Sequence, residues 1–358
     1  MKLVIDARMA FHSGIGRYIR CLTRALAESS SAPELTLLTS PGDDAAWLGS
    51  NSIRKIVFDA GIYSTKEHWL GSLICYGPAR DAEVYHFPHY NIPWLLPRSS
   101  VVTIHDLTHF KFPGFYPSAM LEPAKAVMGR AVKRAGRIIV PSDATRMDLE
   151  QMFEGVSSKT VVIHHGVEPR FKPIAAGEVE HFRQEKKLGR FFLYVGNNKQ
   201  HKNLARLSRA FAVMRERHPD TGLVLVGEVE SAAPYPPGTR TLPRLSDEEL
   251  VYLYNAAEAV LLPSLSEGFG LPAVEAMACG TPVIGSDINT LVEVVGDAGL
   301  LIDPLDEGAL AGAMLRILDD AELAARLSSA SLDRIKPLSW SRSAAKTLEV
   351  YGQAAAPA

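Results

Sequence analysis

Short runs of Val, Ile and Leu alternate with longer amphipathic stretches along this chain, and the alternation occurs in two series. A buried parallel strand is a continuous apolar run because helices cover both faces of its sheet, and a crossover helix must join it to the next strand. The pattern therefore predicts two α/β halves. A chain of 358 residues is long enough to bury two hydrophobic cores.

The alternation also predicts where the strands and helices lie. In the first half, strands are predicted at 2–6, 83–87, 101–105, 137–141 and 160–163, with helices at 15–28 and 117–135. In the second half, strands are predicted at 191–196, 222–227, 259–263, 282–286 and 299–302, with helices at 204–217, 247–256 and 272–279. The segment 166–188 has two prolines and no strand pattern, so it is predicted to be the interdomain linker.

Charge and cysteine content exclude several classes of function. Lys plus Arg number 38 and Asp plus Glu 40, so no net positive field is present to hold a nucleic acid. Cys21, Cys75 and Cys279 lack the spacing of metal ligands, which favours a reduced cytoplasm. Asp6 and Arg8 interrupt the N-terminal apolar run before it reaches the length of a signal peptide or a membrane span.

The most informative motif is SLSEGFGLPAVEAMACGTPVIGSD at 264–287, which follows a predicted strand and opens a predicted helix. Glu267 precedes this helix and Glu275 lies about one turn into it, so both carboxylates could accept hydrogen bonds from sugar and ribose hydroxyls. The alternative is an ordinary strand-to-helix turn with a solvated Glu at each end.

Glycines in the same loop allow a ligand to approach the backbone. Gly268 and Gly270 lack a Cβ, and the N–H groups of Phe269, Gly270 and Leu271 could bind a phosphate or a sugar hydroxyl.

A second motif, YVGNNKQHKNLARL at 194–207, places a basic segment between a strand and a helix. The ammonium of Lys202 could stabilise a diphosphate whose charge grows as it departs. Asn197, just after the strand glycine, could donate a hydrogen bond to the same anion. The alternative for Lys202 is a solvated side chain.

Two further sites lie in the first half. His105 and Asp106 are predicted at a strand end, where a loop histidine, a core histidine or, with His109, a metal ligand are the alternatives. Gly14, Gly16 and Arg17 lie where the first helix is predicted to begin. The dinucleotide-binding pattern is incomplete there because Ile19 occupies the place of its third glycine, so a tight turn is the alternative.

The string EGFGLPAVEAMACGTPVI at 267–284 resembles that of the retaining glycosyltransferases of family 4, mannosyltransferase-like members of the GT-B fold. The resemblance covers nearly the whole chain. It implies two Rossmann-like domains facing across a cleft: an acceptor-side domain at 1–170, completed by the C-terminal helix 338–358, and a donor-side domain at 171–337.

The resemblance also implies roles for individual residues. Lys202, Glu267 and His105 would be catalytic: Lys202 on the diphosphate, Glu267 on the transferred sugar and His105 near its anomeric carbon. Glu275 would bind the donor ribose. The remaining implied donor contacts are Gly14, Gly16, Arg17, Asp106, Asn197, Gly268, Phe269, Gly270 and Leu271. Asn197 and His201 depart from the family pattern, which commonly has Arg at both places.

The implied reaction is transfer of a hexose, with retention and without a metal or cofactor, from a nucleotide sugar to a glycan or lipid-linked acceptor in polysaccharide or glycoconjugate synthesis. The form NNKQHKN is similar to that of bacterial mannosyltransferases and suggests GDP-mannose, with UDP-sugars as the alternative. Peripheral contact with the inner face of a membrane is open, since the basic residues Arg130, Lys133, Arg134 and Arg137 form either a lipid-binding patch or a solvated helix face.

Three other classes remain as rivals. A sugar-nucleotide epimerase would release a free altered sugar, and a non-catalytic binding subunit would keep Glu275 while losing Lys202 or His105. An NAD-dependent oxidoreductase would need the complete glycine fingerprint that the first turn lacks.

Overall fold

The structure is a computed structural model that describes residues 1–49, 53–229 and 235–356. It divides into two compact units: unit 1 comprises Met1–Gly166 with Leu338–Ala358, and unit 2 comprises Val167–Pro337. The first division therefore falls at Gly166, a few residues before the predicted boundary at 170.

Unit 1 is built on a parallel sheet, as the apolar runs predicted. Its strands are β1 (Lys2–Asp6), β2 (Glu34–Thr39), β3 (Arg54–Val57), β4 (Val84–Phe87), β5 (Ser100–Thr103), β6 (Arg137–Val140) and β7 (Thr160–Val162). Within the described residues they lie in the order β3-β2-β1-β4-β5-β6-β7. The chain runs outward from β1 to β3 and then, from β4, in the opposite direction. The switch point of this sheet is therefore the pair β1 and β4.

The connections between these strands contain helices. They are α1 (Ser13–Ala27), α2 (Thr65–Tyr76), α3 (Thr108–Lys111), α4 (Ser118–Arg134) and α5 (Asp143–Met152). Helix α1 is amphipathic, and it buries Tyr18, Ile19, Leu22 and Leu26 at helical spacing. Burial of such side chains is the main source of the unit's stability.

Unit 2 repeats the architecture with a second parallel sheet. Its strands are β8 (Phe191–Asn197), β9 (Gly222–Glu228), β10 (Thr239–Leu242), β11 (Val260–Leu262), β12 (Val283–Ser286) and β13 (Gly299–Ile302). The helices are α6 (Ala176–Lys186), α7 (Leu204–Arg215), α8 (Asp247–Ala256), α9 (Leu271–Ala278), α10 (Asn289–Val294), α11 (Glu307–Asp319) and α12 (Ala321–Arg334). The strand order among the described residues is β10-β9-β8-β11-β12-β13, so the switch point is the pair β8 and β11.

The predicted linker at 166–188 is wrong in one respect, because it contains helix α6. Its single buried apolar residue, Phe182, stacks on Tyr252 of α8 with ring centroids 5.2 Å apart. Arg183 Nε donates to the carbonyl of Ala256 at 3.1 Å. One aromatic anchor and one guanidinium thus hold a largely polar helix on unit 2.

The chain ends in helix α13 (Trp340–Ala355), which belongs to unit 1 and packs on α1. Its Ser343 hydroxyl donates to the carbonyl of His164 at 2.6 Å. Among the described residues, no helix combines the length and the apolar character needed to cross a bilayer.

Candidate functional site

The candidate residues of unit 2 lie at the switch point of its sheet. Open parallel sheets bind ligands beyond the carboxyl ends of their strands, where neighbouring connections run in opposite directions. Lys202 follows β8, and Glu267 follows β11, so the fold brings together two residues that are 65 positions apart in the sequence.

Lys202 and Glu267 form an ion pair that water can reach. The Nζ of Lys202 donates to Oε1 of Glu267 at 2.7 Å, and the two side chains are 20% and 11% exposed. The hydroxyl of Ser264 donates to the same carboxylate oxygen, also at 2.7 Å. Two donors therefore fix the Glu267 carboxylate, and a charged pair accessible from one side can exchange partners with an arriving anionic or hydroxylated ligand.

Hydrogen bonds to backbone carbonyls hold the two loops against each other. Leu265 N donates to the carbonyl of His201 at 2.7 Å, and Asn203 Nδ2 donates to the carbonyl of Pro263 at 3.0 Å. Asn203 has a φ of 62°, in the left-handed region that Asn tolerates better than most residues. This residue turns the chain into α7, which therefore begins at Leu204 and leaves Lys202 on the preceding 3₁₀ turn.

The glycine loop leads into helix α9. Gly270 has a φ of 86°, and a Cβ there would lie 2.9 Å from Cδ2 of Leu291, so both its conformation and its surroundings favour glycine. The side chain of Phe269 is buried, and Gly268 is half-buried. Leu271 is the first residue of α9, with its positive dipole end at this loop.

Glu275 lies inside α9 and is only 5% exposed. The hydroxyl of Tyr254, a fully buried residue of α8, donates to Oε2 of Glu275 at 2.7 Å. The carboxylate is thus oriented by a buried donor, whereas Glu267 pairs with a more accessible lysine. Tyr254 and Ser264 were not identified as site residues from the sequence.

Asn197, the last residue of β8, is half-exposed and shapes the loop that follows. Its Oδ1 accepts a hydrogen bond from Lys199 N at 3.2 Å, and its carbonyl accepts one from the buried Tyr194 hydroxyl at 2.7 Å. The side-chain oxygen of Asn197 is therefore already engaged within the loop.

In unit 1, His105 lies two residues beyond the end of β5, not at the end of the strand as predicted. Its Nε2 lies 2.9 Å from the carbonyl of Pro88, which can only accept, so Nε2 carries the proton. Burial lowers the pKa of His105, and the Pro88 carbonyl and Asp106 only partly oppose this shift. The imidazole is therefore neutral at neutral pH, which leaves Nδ1 as an acceptor for a hydroxyl.

The Oδ1 of Asp106 accepts a hydrogen bond from the backbone N of Thr108, the first residue of the short helix α3, at 2.9 Å. Burial raises the pKa of Asp106, but hydrogen bonds from the backbone and side chain of Thr108 and the nearby His109 and His105 outweigh it, so the pKa lies below its usual value. Asp106 is thus ionised at neutral pH.

Helix α1 begins at Ser13, so Gly14, Gly16 and Arg17 lie within its first turns and not in a loop before it. A Cβ on Gly16 would come within 2.5 Å of the Ala10 carbonyl oxygen, whereas a Cβ on Gly14 would meet nothing within 4 Å. The close approach of residues 9–12 to the helix thus explains one of the two glycines.

Buried polar groups that were not identified from the sequence meet at the switch point of unit 1. A small pocket there is lined by Asp6, at the end of β1, by Arg8 and by Glu67. The Arg8 guanidinium donates to both oxygens of Asp6, at 2.8 and 2.6 Å, and to Glu67 Oε1 at 2.6 Å. Burial raises the pKa of Glu67, and Arg8 partly offsets this. A charged D-x-R that begins at the last residue of a buried strand was the available signal.

Two histidines near this pocket have different surroundings. His89 lines the same pocket, and burial lowers its pKa to about 3. His86 is 1% exposed and hydrogen-bonded on both ring nitrogens, to the Tyr351 hydroxyl at 2.7 Å and to the Thr103 hydroxyl at 2.8 Å. The Thr103 hydroxyl also forms a hydrogen bond with the Tyr18 hydroxyl at 3.0 Å. The Tyr18 ring in turn packs edge-on against the His105 ring, with 4.9 Å between the ring centroids.

A metal was one alternative for His105, Asp106 and His109. Within the described ranges, no cluster of three or more His, Cys, Asp or Glu side chains is arranged to hold a metal ion.

Comparison with known proteins gives matches over both units. The family model described as Glycosyltransferase Family 4 matches residues 12–171, and the one described as Glycosyl transferases group 1 matches residues 178–334.

Individual relatives are also glycosyltransferases. O-antigen chain mannosyltransferase B of Escherichia coli is 30% identical over 284 residues, which cover 75% of this chain and 74% of that protein. A D-inositol 3-phosphate glycosyltransferase of Salinispora arenicola is 31% identical over 286 residues, 72% of this chain and 64% of that protein. The matched segment is thus about three quarters of the first relative and under two thirds of the second.

Solved structures share the fold. The glycosyltransferase WaaG, involved in lipopolysaccharide biosynthesis, superposes with a TM-score of 0.79 at 16% identity, covering 98% of this chain and 99% of that one. A sucrose-phosphate synthase from Thermosynechococcus elongatus gives 0.76 at 24% identity, covering 98% of both. With both family models matched, the chain belongs to the family 4 glycosyltransferases of the GT-B fold.

Proposed function

We propose that this glycosyltransferase uses a nucleotide-sugar donor, with GDP-mannose as the first candidate, and a glycan or lipid-linked sugar as acceptor. The observation that carries the proposal is the accessible Lys202–Glu267 pair beside the first residues of α9, at the switch point of unit 2. Mannose is favoured because the relative from Escherichia coli is a mannosyltransferase. A UDP-sugar is the alternative donor, since a fold relative from Anabaena, 19% identical, holds UDP and glucose.

The donor binds through its charged and hydroxylated parts. Lys202 and the positive end of α9, at Gly270 and Leu271, bind the diphosphate, because a cation and free backbone N–H groups both favour an anion. Glu275, fixed by the Tyr254 hydroxyl, accepts hydrogen bonds from the ribose hydroxyls. Asn197 remains a proposed phosphate contact through its amide nitrogen.

The transfer step breaks the bond between the anomeric carbon and the diphosphate oxygen. The acceptor hydroxyl oxygen forms the new bond on the same face of the sugar, and its proton passes to the departing phosphate oxygen. Lys202 stabilises the charge that grows on the leaving group, which lowers the barrier because the interaction is stronger in the transition state than in the ground state. Glu267 holds a hydroxyl of the transferred sugar.

Unit 1 contributes hydroxyl-binding groups. The free Nδ1 of neutral His105 accepts a hydroxyl of the donor sugar, and ionised Asp106 holds the turn beside it. The polar pocket of Asp6, Arg8 and Glu67 is the proposed place for acceptor hydroxyls. Gly14, Gly16 and Arg17 are proposed as donor phosphate contacts at the positive end of α1.

Product analysis tests the reaction. The enzyme is incubated in EDTA with GDP-mannose, UDP-glucose or ADP-glucose and with mannosides or a lipid-linked saccharide. Release of one nucleoside diphosphate together with an elongated acceptor whose new bond keeps the donor's anomeric configuration supports the proposal. Release of a free altered sugar would indicate an epimerase, inversion would exclude the front-face step, and dependence on added divalent metal would contradict the role given to Lys202.

A matched pair of lysine variants tests the catalytic assignment. Lys202→Ala should lower kcat by roughly 100-fold or more, as loss of a transition-state donor typically does. Lys199→Ala removes an exposed lysine three residues earlier and should leave kcat within about twofold. Equal effects of the two substitutions would mean that Lys202 contributes only to the overall positive charge of the region and does not contact the leaving group.

A further inference from the structure

Helix α2 exposes apolar side chains on one face while its other face is buried. Trp69, Leu73 and Tyr76 follow the i, i+4, i+7 spacing of a single helix face and are 60%, 69% and 58% exposed. The opposite face packs into the core of unit 1 through Ile74 and Cys75. Because only that opposite face is buried, these three large side chains remain exposed to water.

A loop after β4 extends this surface. Trp94 N donates to the carbonyl of His68 at 2.9 Å, and Leu95 N donates to the hydroxyl of Ser72 at 2.9 Å, so the loop is tied to α2. Trp94 and Leu95 are 46% and 61% exposed, and the rings of Trp69 and Trp94 meet edge to face, 6.3 Å between centroids.

We call these five residues the aromatic patch: Trp69, Leu73, Tyr76, Trp94 and Leu95. Clustered exposed apolar side chains on a folded unit usually mark a binding surface.

Basic side chains border the aromatic patch. The guanidinium of Arg130, on α4, lies 4.0 Å over the Trp94 ring and donates to the carbonyl of Ile92 at 2.9 Å. Burial, followed by the charge of Arg134, lowers the pKa of Arg130 to about 10, so it is still protonated at neutral pH. Exposed Arg134 lies one turn further along α4.

Two more cations complete the border. Lys66 lies on α2 one turn before Trp69, and Arg98 is exposed three residues after Leu95. Asp59 pairs with Lys66 at 3.5 Å and offsets its charge, and Asp81 pairs with Lys2 and Arg54. The positive charge beside the apolar centre therefore comes chiefly from Arg130, Arg134 and Arg98.

This composition matches the surface of an anionic bilayer. Trp and Tyr rings favour the headgroup level, where an apolar body and a polar edge are both accommodated. Lys and Arg next to them gain from anionic lipid, and an apolar helix face lying in the plane of the interface supplies the remaining affinity. We propose that the aromatic patch docks unit 1 onto a membrane containing anionic lipid, an interaction that goes beyond the glycosyl transfer proposed above.

Vesicle flotation tests the docking. The protein is mixed with vesicles of phosphatidylcholine alone or of phosphatidylcholine with phosphatidylglycerol. The wild type should float with the anionic vesicles, float less at high salt and float weakly with neutral ones. Emission from the exposed Trp69 and Trp94 should shift to shorter wavelength when anionic vesicles are added, because their rings leave water.

Matched variants separate the patch from general surface effects. Leu73→Gln should reduce the vesicle partition coefficient by roughly tenfold, since a leucine side chain no longer enters the apolar region. The control Val213→Gln changes an apolar residue on α7 that is 51% exposed and should not change it. Arg134→Glu should reduce partition by about 5-fold or more at low salt, whereas Arg326→Glu, on an exposed position of α12, should have a much smaller effect.

Three results would overturn the proposal. The wild type could fail to float with either kind of vesicle, or Val213→Gln could weaken flotation as much as Leu73→Gln does. Alternatively, the wild type could be a dimer by light scattering that Leu73→Gln converts to a monomer, with flotation unchanged, and the patch would then bind a second copy of this chain.

Discussion

Glu267 and Glu275 belong to one short motif, yet their side chains have different partners. Glu267 is held by Lys202 and Ser264, whereas Glu275 is held by the Tyr254 hydroxyl. The sequence predicted both carboxylates and the lysine, because the motif around them is long. It could not predict Tyr254, which is 21 positions earlier on another helix and becomes a partner only when α8 and α9 pack together.

Removal of that hydroxyl should affect both stability and donor binding. Tyr254→Phe removes the hydroxyl that donates to the buried Glu275 and should lower the free energy of unfolding by about 1–3 kcal/mol. The donor KM should rise more than kcat falls, because Glu275 is proposed to bind ribose. Denaturant titration and steady-state kinetics measure both effects. Tyr252→Phe is the control, since that half-exposed hydroxyl reaches Glu178 only at 3.5 Å, and an equal loss there would contradict the role of Tyr254.

Buried His86 predicts how unit 1 responds to acid. Burial, with a smaller contribution from His105, lowers the pKa of His86 to about 3, so this residue binds its proton more weakly in the folded state than in the unfolded state. Stability should therefore fall as the pH drops from about 6.5 towards 3, by at most about 1.4 kcal/mol per pH unit for this residue. The free energy of unfolding measured against pH should be less steep for His86→Gln than for the exposed control His12→Gln. Equal slopes would show that His86 does not titrate in this way.

At the scale of helices and strands, prediction succeeded where the apolar run was long and central. Strand β1 and helix α8 have the predicted bounds, and β8 and β9 differ by one residue at one end. Strands β2, β3 and β10 were not predicted. β3 and β10 lie at sheet edges, where solvent permits polar residues such as those of RKIV and TRTL, so the apolar signal is weak. β2 is different, because it lies between β1 and β3 with five of its six residues buried, so its run ELTLLT carried a signal that the prediction missed.

The glycines of α1 offer a test within one helix turn. Gly16→Ala would place a Cβ 2.5 Å from the Ala10 carbonyl oxygen, and we expect a loss of roughly 1–3 kcal/mol in the free energy of unfolding. Gly14→Ala has open space around its Cβ and should be neutral or stabilise by about 0.5–1 kcal/mol. Denaturant titration of both variants measures the difference. Equal stability of Gly16→Ala and Gly14→Ala would contradict the conclusion that residues 9–12 approach α1 too closely for a Cβ at position 16.

At the scale of the whole molecule, the sequence predicted two parallel α/β halves, and the structure confirms this fold class. The full polar pocket of unit 1 was missed because Glu67 is 59 positions from Arg8, and its proximity to Asp6 and Arg8 depends on how α2 packs in the fold. The return of α13 to unit 1 came from resemblance alone, since an amphipathic pattern predicts a buried face but not its partner.

The division into units predicts different fates for two truncated chains. Residues 167–337 contain a complete sheet with its own buried core and should fold alone, with a cooperative thermal transition by circular dichroism. Residues 1–166 lack α13, whose Trp340 and Tyr351 are buried in unit 1, and should not give such a transition. A cooperative transition for 1–166 equal to that of unit 2 would show that α13 is dispensable for folding.

The central claim is that the Lys202–Glu267 and Glu275 region of unit 2 binds the donor nucleotide. Calorimetric titration with GDP, UDP and ADP in EDTA tests it most directly, with Lys202→Ala and Glu275→Gln compared with the control Lys199→Ala. We predict that one nucleotide binds the wild type and Lys199→Ala equally, and that it binds the other two variants roughly tenfold or more weakly. Equal binding to all four proteins would contradict the assignment of this site.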